Sequence, residues 1–532
     1  MTMGRILLVA GSDSSGGAGL EAGQRVVAAH GCYALTATTA LTAQDTCGVR
    51  AVHVVPARFV EQQMEAGLDD VGADVIVTGM LATSETVQAV AGQVQRRGLP
   101  VIVDPVVVAT TGSELLPRAA LETLVARLLP LTTLVTPNLP EARLLAGDEA
   151  PVQSPADMEV LARRIQALGP SWVLIKGGHL PLPASSIASA SAPSSAPSSA
   201  PASAPSSAPG PARVVVNVLV GPNQEAIHLV SPWQQTSSTH GTGCTLAAAI
   251  AAHLARSILD HGHAQLNLDL PMAVRAACRY VDAAIRAAPG FGRGHGPLGH
   301  LHSLQTLPFA PGYFVEYLLA RPDVTPLWDR FLNHPFVRAI GDASLPLDSF
   351  KHYLVQDYLF LLHFSRAHAL AAYKAQSIDD ISATAQIMTQ TCRETSLHLS
   401  YCQSFGISLS DIKATPEHQA CTAYTRYVLD IGHATDALAL RMALFPCLLG
   451  YAAVAAALDS SPSTVRGHAN NPYWAWIQNY LADDYCRAVE SGSRFIEDQM
   501  HLQSPSRIQE YINTFIHATR MEIGFWEMFP SS

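Results

Sequence analysis

Basic residues are in short supply. Lysine and arginine number 33 against 43 acidic residues, a formal net charge of −10, so the chain lacks the positive footprint of a nucleic-acid binder. Charged residues of both signs make up only 14% and aromatics 7%, yet 48% of the chain is hydrophobic, which sets it apart from disordered compositions. No two of the nine cysteines form a CxxC pair. An odd, scattered set points to reduced thiols and away from a disulfide framework or a zinc site. A long unbroken hydrophobic run is missing too. Met442 to Leu458 is uncharged, but Pro446 interrupts it, Arg441 precedes it and Asp459 follows, as in a buried core helix. The N-terminal run Ile6 to Ala10 is too short for a signal-peptide core. These absences lead us to expect a cytoplasmic protein with neither membrane nor nucleic-acid partners.

What is present is length enough for at least two domains, since single cores stop growing at about 250 to 300 residues. In the first half, short β-rich runs (Arg5 to Ala10, Val52 to Val55, Asp74 to Thr78, Pro100 to Asp104, Thr133 to Thr136, Trp172 to Lys176) alternate with helical patterns. Those patterns lie at Leu20 to His30, Arg58 to Leu68, Thr86 to Arg97, Leu121 to Leu128 and Met158 to Leu168. Such alternation predicts an α/β domain, a largely parallel sheet with helices on both faces. Ligands bind such sheets at the carboxyl ends of strands, so the residues after each run carry most weight.

Ser237 to Thr245 is a small-residue turn running into the apolar stretch Leu246 to Leu254. Free N–H groups at a helix start, with Gly241, Thr242 and Gly243 letting the backbone come close, suit nucleotide phosphates. Cys244 falls in the first helical turn, where the helix dipole favours a thiolate. Read alone, the turn is equally a plain helix start with a small buried thiol. Gly11 to Gly19 is expected to form a second glycine-rich loop. Thr39 to Thr46 is expected as a loop after the second strand, where Gln44 offers a donor and an acceptor to an aminopyrimidine, or only to its own backbone. Asp104 and Glu141, at adjacent strand ends, suit a hydrated magnesium ion, while either alone is equally a helix cap. Lys176 is a cation placed to neutralise phosphates.

The motifs Gly11–Gly19, Ala40–Gln44, Gly79–Leu81, Asp104–Val108, Thr136–Glu141, Lys176–His179 and Thr239–Cys244 occur in the order seen in hydroxymethylpyrimidine/phosphomethylpyrimidine kinases of the ribokinase-like superfamily. The resemblance covers roughly residues 4 to 302. It implies phosphorylation of hydroxymethylpyrimidine and then of its monophosphate, with ATP and Mg. By that resemblance Gln44 contacts the pyrimidine, Asn138 and Glu141 form an Asn-x-x-Glu element tied to magnesium and phosphate, and Cys244 takes the place of an aspartate base. The chain departs from the family pattern at Gly23, where aspartate is usual, at Arg25, where lysine is usual, and at Ser238, often asparagine. Gly23 is expected to leave out a side chain near the substrate. From about Ala184 to Ala212 the chain is almost entirely Ser, Ala and Pro, which predicts a disordered surface insertion.

Beyond a connector at 305–312 the pattern turns wholly helical, which predicts an all-α bundle over 313–532. Expected helices are Phe314 to Leu319, Leu327 to Asn333, Leu347 to Tyr373, Ile378 to Phe405, His418 to Gly432, Thr435 to Leu458, Tyr473 to Leu481, Asp483 to Met500 and Ser506 to Phe529. Cys447 directly follows Pro446, a costly residue inside a helix, although a buried thiol is the simpler reading. Asp357 and Glu522 stand beside large aromatics, where a carboxylate needs a partner unless it lies on a solvated face. These stretches, with Tyr424–Tyr427, Phe445–Tyr451 and Tyr473–Ile477, resemble the thiaminase II (TenA) family. The resemblance implies that Cys447 adds to the pyrimidine ring, Glu522 moves protons and Asp357 holds the ring amidine. It also implies that Phe360, Tyr424, Tyr451 and Tyr473 stack on the substrate or hydrogen-bond to it.

The order of the two halves resembles the trifunctional thiamin-biosynthesis proteins of fungi, and implies hydrolysis of aminomethylpyrimidine or thiamin to the hydroxymethylpyrimidine that the first half phosphorylates. A homo-oligomer is expected. Two alternatives stay open. One is a pyridoxal-type kinase fused to a helical module that only drives association, separable by competing the two substrates. The other is a helical half that binds ligand without turnover, separable by an assay of base release.

Overall fold

A computed structural model of the chain describes residues 3–107, 115–148, 150–186, 213–222, 225–262 and 266–528. Most of the Ser/Ala/Pro insert (187–212) and Val108 of the Asp104–Val108 motif lie outside the described residues. The chain divides into two compact units, 1–304 and 305–532. Leu307 and Phe309, in the expected connector, pack onto the core of the second unit.

In the first unit the strands are β1 (Arg5–Asp13), β2 (Tyr33–Asp45), β3 (Gly48–Val54), β4 (Val75–Thr78), β5 (Val101–Val103), β6 (Leu134–Val135), β7 (Trp172–Ile175), β8 (Leu182–Pro183), β9 (Arg213–Val220) and β10 (Ile227–Pro232). They form one sheet in the order β10-β9-β7-β6-β5-β4-β1-β2-β3, with β8 pairing off β9. From β7 to β2 every pairing is parallel. β3 at one edge, and β9 with β10 at the other, are antiparallel additions. The central strands are apolar on both sides because both sides are covered. Leu7, Val9 and Ile76 point to one face, against Val60 and Val90 from two helices. Ile6, Leu8, Val75 and Val77 point to the other, under the alanine-rich helix Thr242–His261.

The expected loop at Thr39 to Thr46 is a strand. Ala40 to Asp45 pairs with Gly48 to Val54 as a hairpin, and the turn closes because Asp45 Oδ1 accepts the N–H groups of Cys47 and Gly48 at 2.8 and 3.1 Å. A short polar turn after an alternating Thr/Ala/Leu run is a hairpin signal, so Gln44 sits on a rigid strand end.

The second unit is helical throughout the described residues. The nine expected helices appear within three residues of their expected ends. Two short ones, Pro335–Gly341 and Leu409–Ala414, were not anticipated, being too short for a helical period to register. Ala437–Ser460 continues as one helix through Pro446 and buries Leu440, Ala443, Tyr451 and Val454. This helix and Thr242–His261 are long and apolar enough to cross a bilayer, but 61% of each apolar window is buried in protein. The eight described cysteines are free thiols.

Candidate active sites

The first site lies where the parallel strands end. A cavity of about 680 Å³ is bordered by Gln44, Asp104, Asn138, Glu141, Lys176 and the whole turn Gly241–Cys244. The fold explains the convergence. Asp104 follows β5, Asn138 follows β6 and Lys176 follows β7, and an extra bridge pairs Asn138 with Lys176. Asn138 caps the helix Leu139–Ala146 in a capping box. Its Oδ1 accepts the Glu141 N–H at 2.9 Å while the Glu141 carboxylate accepts the Asn138 N–H at 2.8 Å. That cap holds Glu141 inward, 3.9 Å from Lys176 Nζ. Lys176 donates to Asp104 Oδ1 at 2.6 Å, and Thr136 donates to the same oxygen at 3.0 Å.

The turn meets this cluster from above the strand ends. Gly241 adopts a left-handed conformation (φ 80°), and a side chain there would strike the Gly17 carbonyl. At Gly243 an added carbon would lie 2.9 Å from Asp104 Oδ2 and 3.1 Å from Lys176 Nζ, so the missing side chain lets a ligand or the helix start approach the charged pair.

Burial sets the charge states. Burial pulls the Lys176 ammonium down, but Asp104 and Glu141 outweigh it and keep its pKa above the ordinary lysine value. Glu141 is pushed up to about 7, first by burial and then by the Asp104 charge, against the pull of Lys176. The Cys244 expectation needs correcting. Burial, reinforced by Asp104, drives its thiol up to about 12, although the Gly19 N–H and Lys176 act the other way. The side chain borders the cavity and is partly buried. A helix N-terminus is worth only about 0.3–1 kcal/mol at the surface, up to about 2 when partly buried, too little to offset desolvation here.

The second site is built where four helices of the second unit meet. Glu522 (helix Pro505–Trp526) is buried and accepts from Tyr424 Oη at 2.8 Å, with Cys447 as a further hydrogen-bond partner. Burial and then Asp357 lift its carboxyl to about 8, while the Tyr424 and Cys447 hydrogen bonds restrain it. Asp357 is also raised, by burial, with His398 at 3.7 Å and the Tyr353 hydroxyl opposing. Tyr353 in turn bonds Tyr451 and receives the Trp476 indole N–H at 3.3 Å. Phe360 packs on Tyr424 with ring centres 4.9 Å apart. Tyr473 stands apart from this group. Its hydroxyl donates to the Leu345 carbonyl and its ring packs on Phe350, whereas Tyr480 packs on Tyr451 with ring centres 5.0 Å apart.

Residues 13–299 match the phosphomethylpyrimidine kinase family and residues 321–530 the TENA/THI-4/PQQC family. A Schizosaccharomyces pombe chain named hydroxymethylpyrimidine/phosphomethylpyrimidine kinase 2 is 39% identical, covering 98% of this chain and 90% of its own length. The chain belongs to the phosphomethylpyrimidine kinase family. It is a thiamin-biosynthesis kinase fused to a TenA-family domain. Other relatives share the full span: a hydroxymethylpyrimidine/phosphomethylpyrimidine kinase of Saccharomyces cerevisiae (29% identical, 98% of this chain, 94% of that one) and a thiamine biosynthesis multifunctional protein of Corynebacterium efficiens (28%, 98% and 69%). Among solved structures, a Staphylococcus aureus pyridoxal kinase in complex with AMP-PCP and pyridoxal is 27% identical over 57% of this chain and 95% of that chain, with a TM-score of 0.46.

Against the kinase-family pattern, the departures find their places. Gly23 does not border the cavity. An added carbon there would lie 2.8 Å from Leu8 Cδ1, so the residue packs the helix Gly19–Ala29 onto β1, correcting the expectation of a gap beside the substrate. Arg25 donates to the Gly16 carbonyl and braces the first glycine-rich loop. Asp13 and His240, within the motifs Gly11–Gly19 and Thr239–Cys244, also belong to this site. They are buried at the cavity wall and joined at 2.8 Å. Their separation of 227 positions hides the pairing, and the only sequence signal is an aspartate and a histidine each set in a small-residue loop.

Proposed function

We propose that the first unit transfers phosphoryl groups from ATP to hydroxymethylpyrimidine and to its monophosphate, and that the second hydrolyses aminomethylpyrimidine or thiamin to hydroxymethylpyrimidine. The observation that carries the reading is the convergence of Gln44, Asp104, Glu141, Lys176 and the Gly241–Cys244 turn on one cavity. In the kinase unit Lys176 and the N–H groups of the turn bind and orient the phosphates, and Gln44 holds the pyrimidine. The substrate oxygen bonds to the γ-phosphorus as the bond to ADP breaks, and its proton passes to a transferring phosphoryl oxygen; Cys244, a neutral thiol, donates a hydrogen bond to that phosphoryl group and is not the base.

Glu141 near 7 marks a site short of positive charge, with two carboxylates facing one lysine. That deficit fits Mg, held by Asp104 and Glu141. Among the described residues no third metal-ligating side chain joins them, as suits an ion that keeps waters and phosphate oxygens as ligands. When bound it supplies charge neutralisation on the transferring phosphoryl group.

In the TenA-family unit burial raises the Glu522 carboxyl to about 8, so both of its protonation states lie within reach near neutral pH, and the ionised form is the proton acceptor. It accepts the Cys447 proton as sulfur adds to the electron-poor ring, and passes that proton to the amine as the carbon–nitrogen bond breaks. Water then adds to the exocyclic carbon, its proton goes to Glu522, and the sulfur leaves. Asp357, held by Tyr353, faces the ring amidine. Cytoplasmic residence and assembly as a homo-oligomer belong to the same reading. Steady-state assays of the purified chain with ATP, Mg and hydroxymethylpyrimidine test the first activity, and release of hydroxymethylpyrimidine from aminomethylpyrimidine tests the second. Absence of either product overturns the corresponding half.

A further inference from the structure

The buried pair Asp13–His240 has a consequence for Gln44. Asp13 accepts from the backbone N–H groups of Ser15, Gly17 and Ala18 at 2.9, 3.0 and 2.9 Å, and from the Ser15 hydroxyl at 2.8 Å. A carboxylate so surrounded by donors stays ionised. His240 Nε2 lies 2.8 Å from Asp13 Oδ2. Two lone pairs cannot face each other at that distance, so this ring nitrogen carries the proton and donates it. The same Nε2 lies 3.1 Å from the terminal amide of Gln44.

An N–H of Gln44 directed at a proton-bearing nitrogen is a mismatch, and the other end of the amide repeats it. Thr42 Oγ1 is 3.3 Å from that end but gives its proton to the Ser12 carbonyl at 3.0 Å, which leaves it an acceptor. Oxygen and nitrogen of an amide are placed by their hydrogen-bond network. One orientation removes both mismatches: the Gln44 carbonyl oxygen shares the His240 Nε2–H with Asp13 in a three-centre bond, and the Gln44 NH2 donates to Thr42. One amide N–H then remains for the cavity, while the carbonyl oxygen is turned towards His240.

We propose that His240, held by Asp13, is a positioning residue that fixes Gln44 as a hydrogen-bond donor towards the cavity, so that the kinase selects an aromatic ring with an unprotonated nitrogen. The proposal rests on the kinase reading given above. A site built around a committed donor discriminates strongly against a ring with C–H at that place, because the N–H is left unpaired.

The test compares hydroxymethylpyrimidine with its two pyridine analogues, each with one ring nitrogen replaced by C–H, in the full-length protein with ATP and Mg. The wild type should prefer the pyrimidine over one analogue by about tenfold or more in kcat/KM. In His240→Ala that preference should shrink to within about threefold, through KM for the pyrimidine rather than for ATP. Gln44→Glu keeps an acceptor for His240 but offers the cavity no N–H, and should raise KM for the pyrimidine by about tenfold or more. This second variant leaves the turn at His240 intact and so stands if His240→Ala misfolds. A Gln44→Glu enzyme with wild-type KM, or a folded His240→Ala enzyme with undiminished preference, overturns the proposal. A wild type that binds ATP but does not phosphorylate hydroxymethylpyrimidine overturns the kinase reading instead.

Discussion

Replacing Glu522 by glutamine tests both the chemistry and the burial of the second site. The carboxyl rises from the usual 4.5 to about 8, chiefly through burial. At about 1.4 kcal/mol per pH unit that is a cost on the order of 5 kcal/mol for folding with the group ionised. The sign follows from proton counts. Below pH 4.5 both folded and unfolded chains hold the proton, and the group adds no pH dependence. Between 4.5 and 8 the unfolded chain releases the proton while the folded chain keeps it, so stability falls as pH rises, and it levels off above 8. Glutamine keeps the shape and can still accept from Tyr424, but has no proton to release. Glu522→Gln should therefore gain stability relative to wild type by several kcal/mol as pH goes from 5 to 8, while losing base release by about 10² or more. Urea unfolding followed by tryptophan fluorescence reads the change, since Trp328, Trp474, Trp476 and Trp526, four of the six tryptophans, lie in the second unit. A stability difference that stays flat from pH 5 to 8 would refute the buried, high-pKa carboxyl and with it the proton shuttle.

Cys447→Ser should bring pyrimidine hydrolysis below about a tenth of wild type and leave kinase turnover intact, because a serine hydroxyl is a poor nucleophile towards the ring; more residual hydrolysis contradicts a covalent step. Cys244→Ala should cut phosphorylation of the alcohol and of the monophosphate alike, each by about 10², because a hydrogen bond to the transferring phosphoryl group serves both steps; a loss confined to the alcohol would make the thiol its base instead. Gly243→Ala places a carbon against Asp104 and Lys176 and should lower kinase kcat/KM about tenfold with base release unchanged, as measured on the same preparation.

The strand-end rule made much of the kinase site legible. Asp104, Glu141 and Lys176 could be placed because each follows a short apolar run, and parallel order brings such ends together. The threonines and alanines of β2 carry little hydrophobic contrast, so the sequence around Gln44 reads as a loop, and pairing with β3 makes it a hairpin. For Cys244 the helix position is visible in sequence while burial is not, and burial is the larger effect on its charge. Asp13 and His240 were missed as partners since nothing local links residues so far apart. In the helical unit, periodicity revealed the long helices but not which side of Tyr473 faces inward. Its hydroxyl is taken by the Leu345 carbonyl, a contact across 128 positions.

On the proposed function, one chain makes the kinase substrate and then phosphorylates it. Purified protein given aminomethylpyrimidine, ATP and Mg should accumulate the pyrimidine diphosphate, while Cys447→Ser should form it from hydroxymethylpyrimidine but not from aminomethylpyrimidine. Phosphorylated pyrimidine formed from aminomethylpyrimidine by the Cys447→Ser protein at more than about a tenth of the wild-type rate, or none formed by the wild type, would contradict this order of reactions.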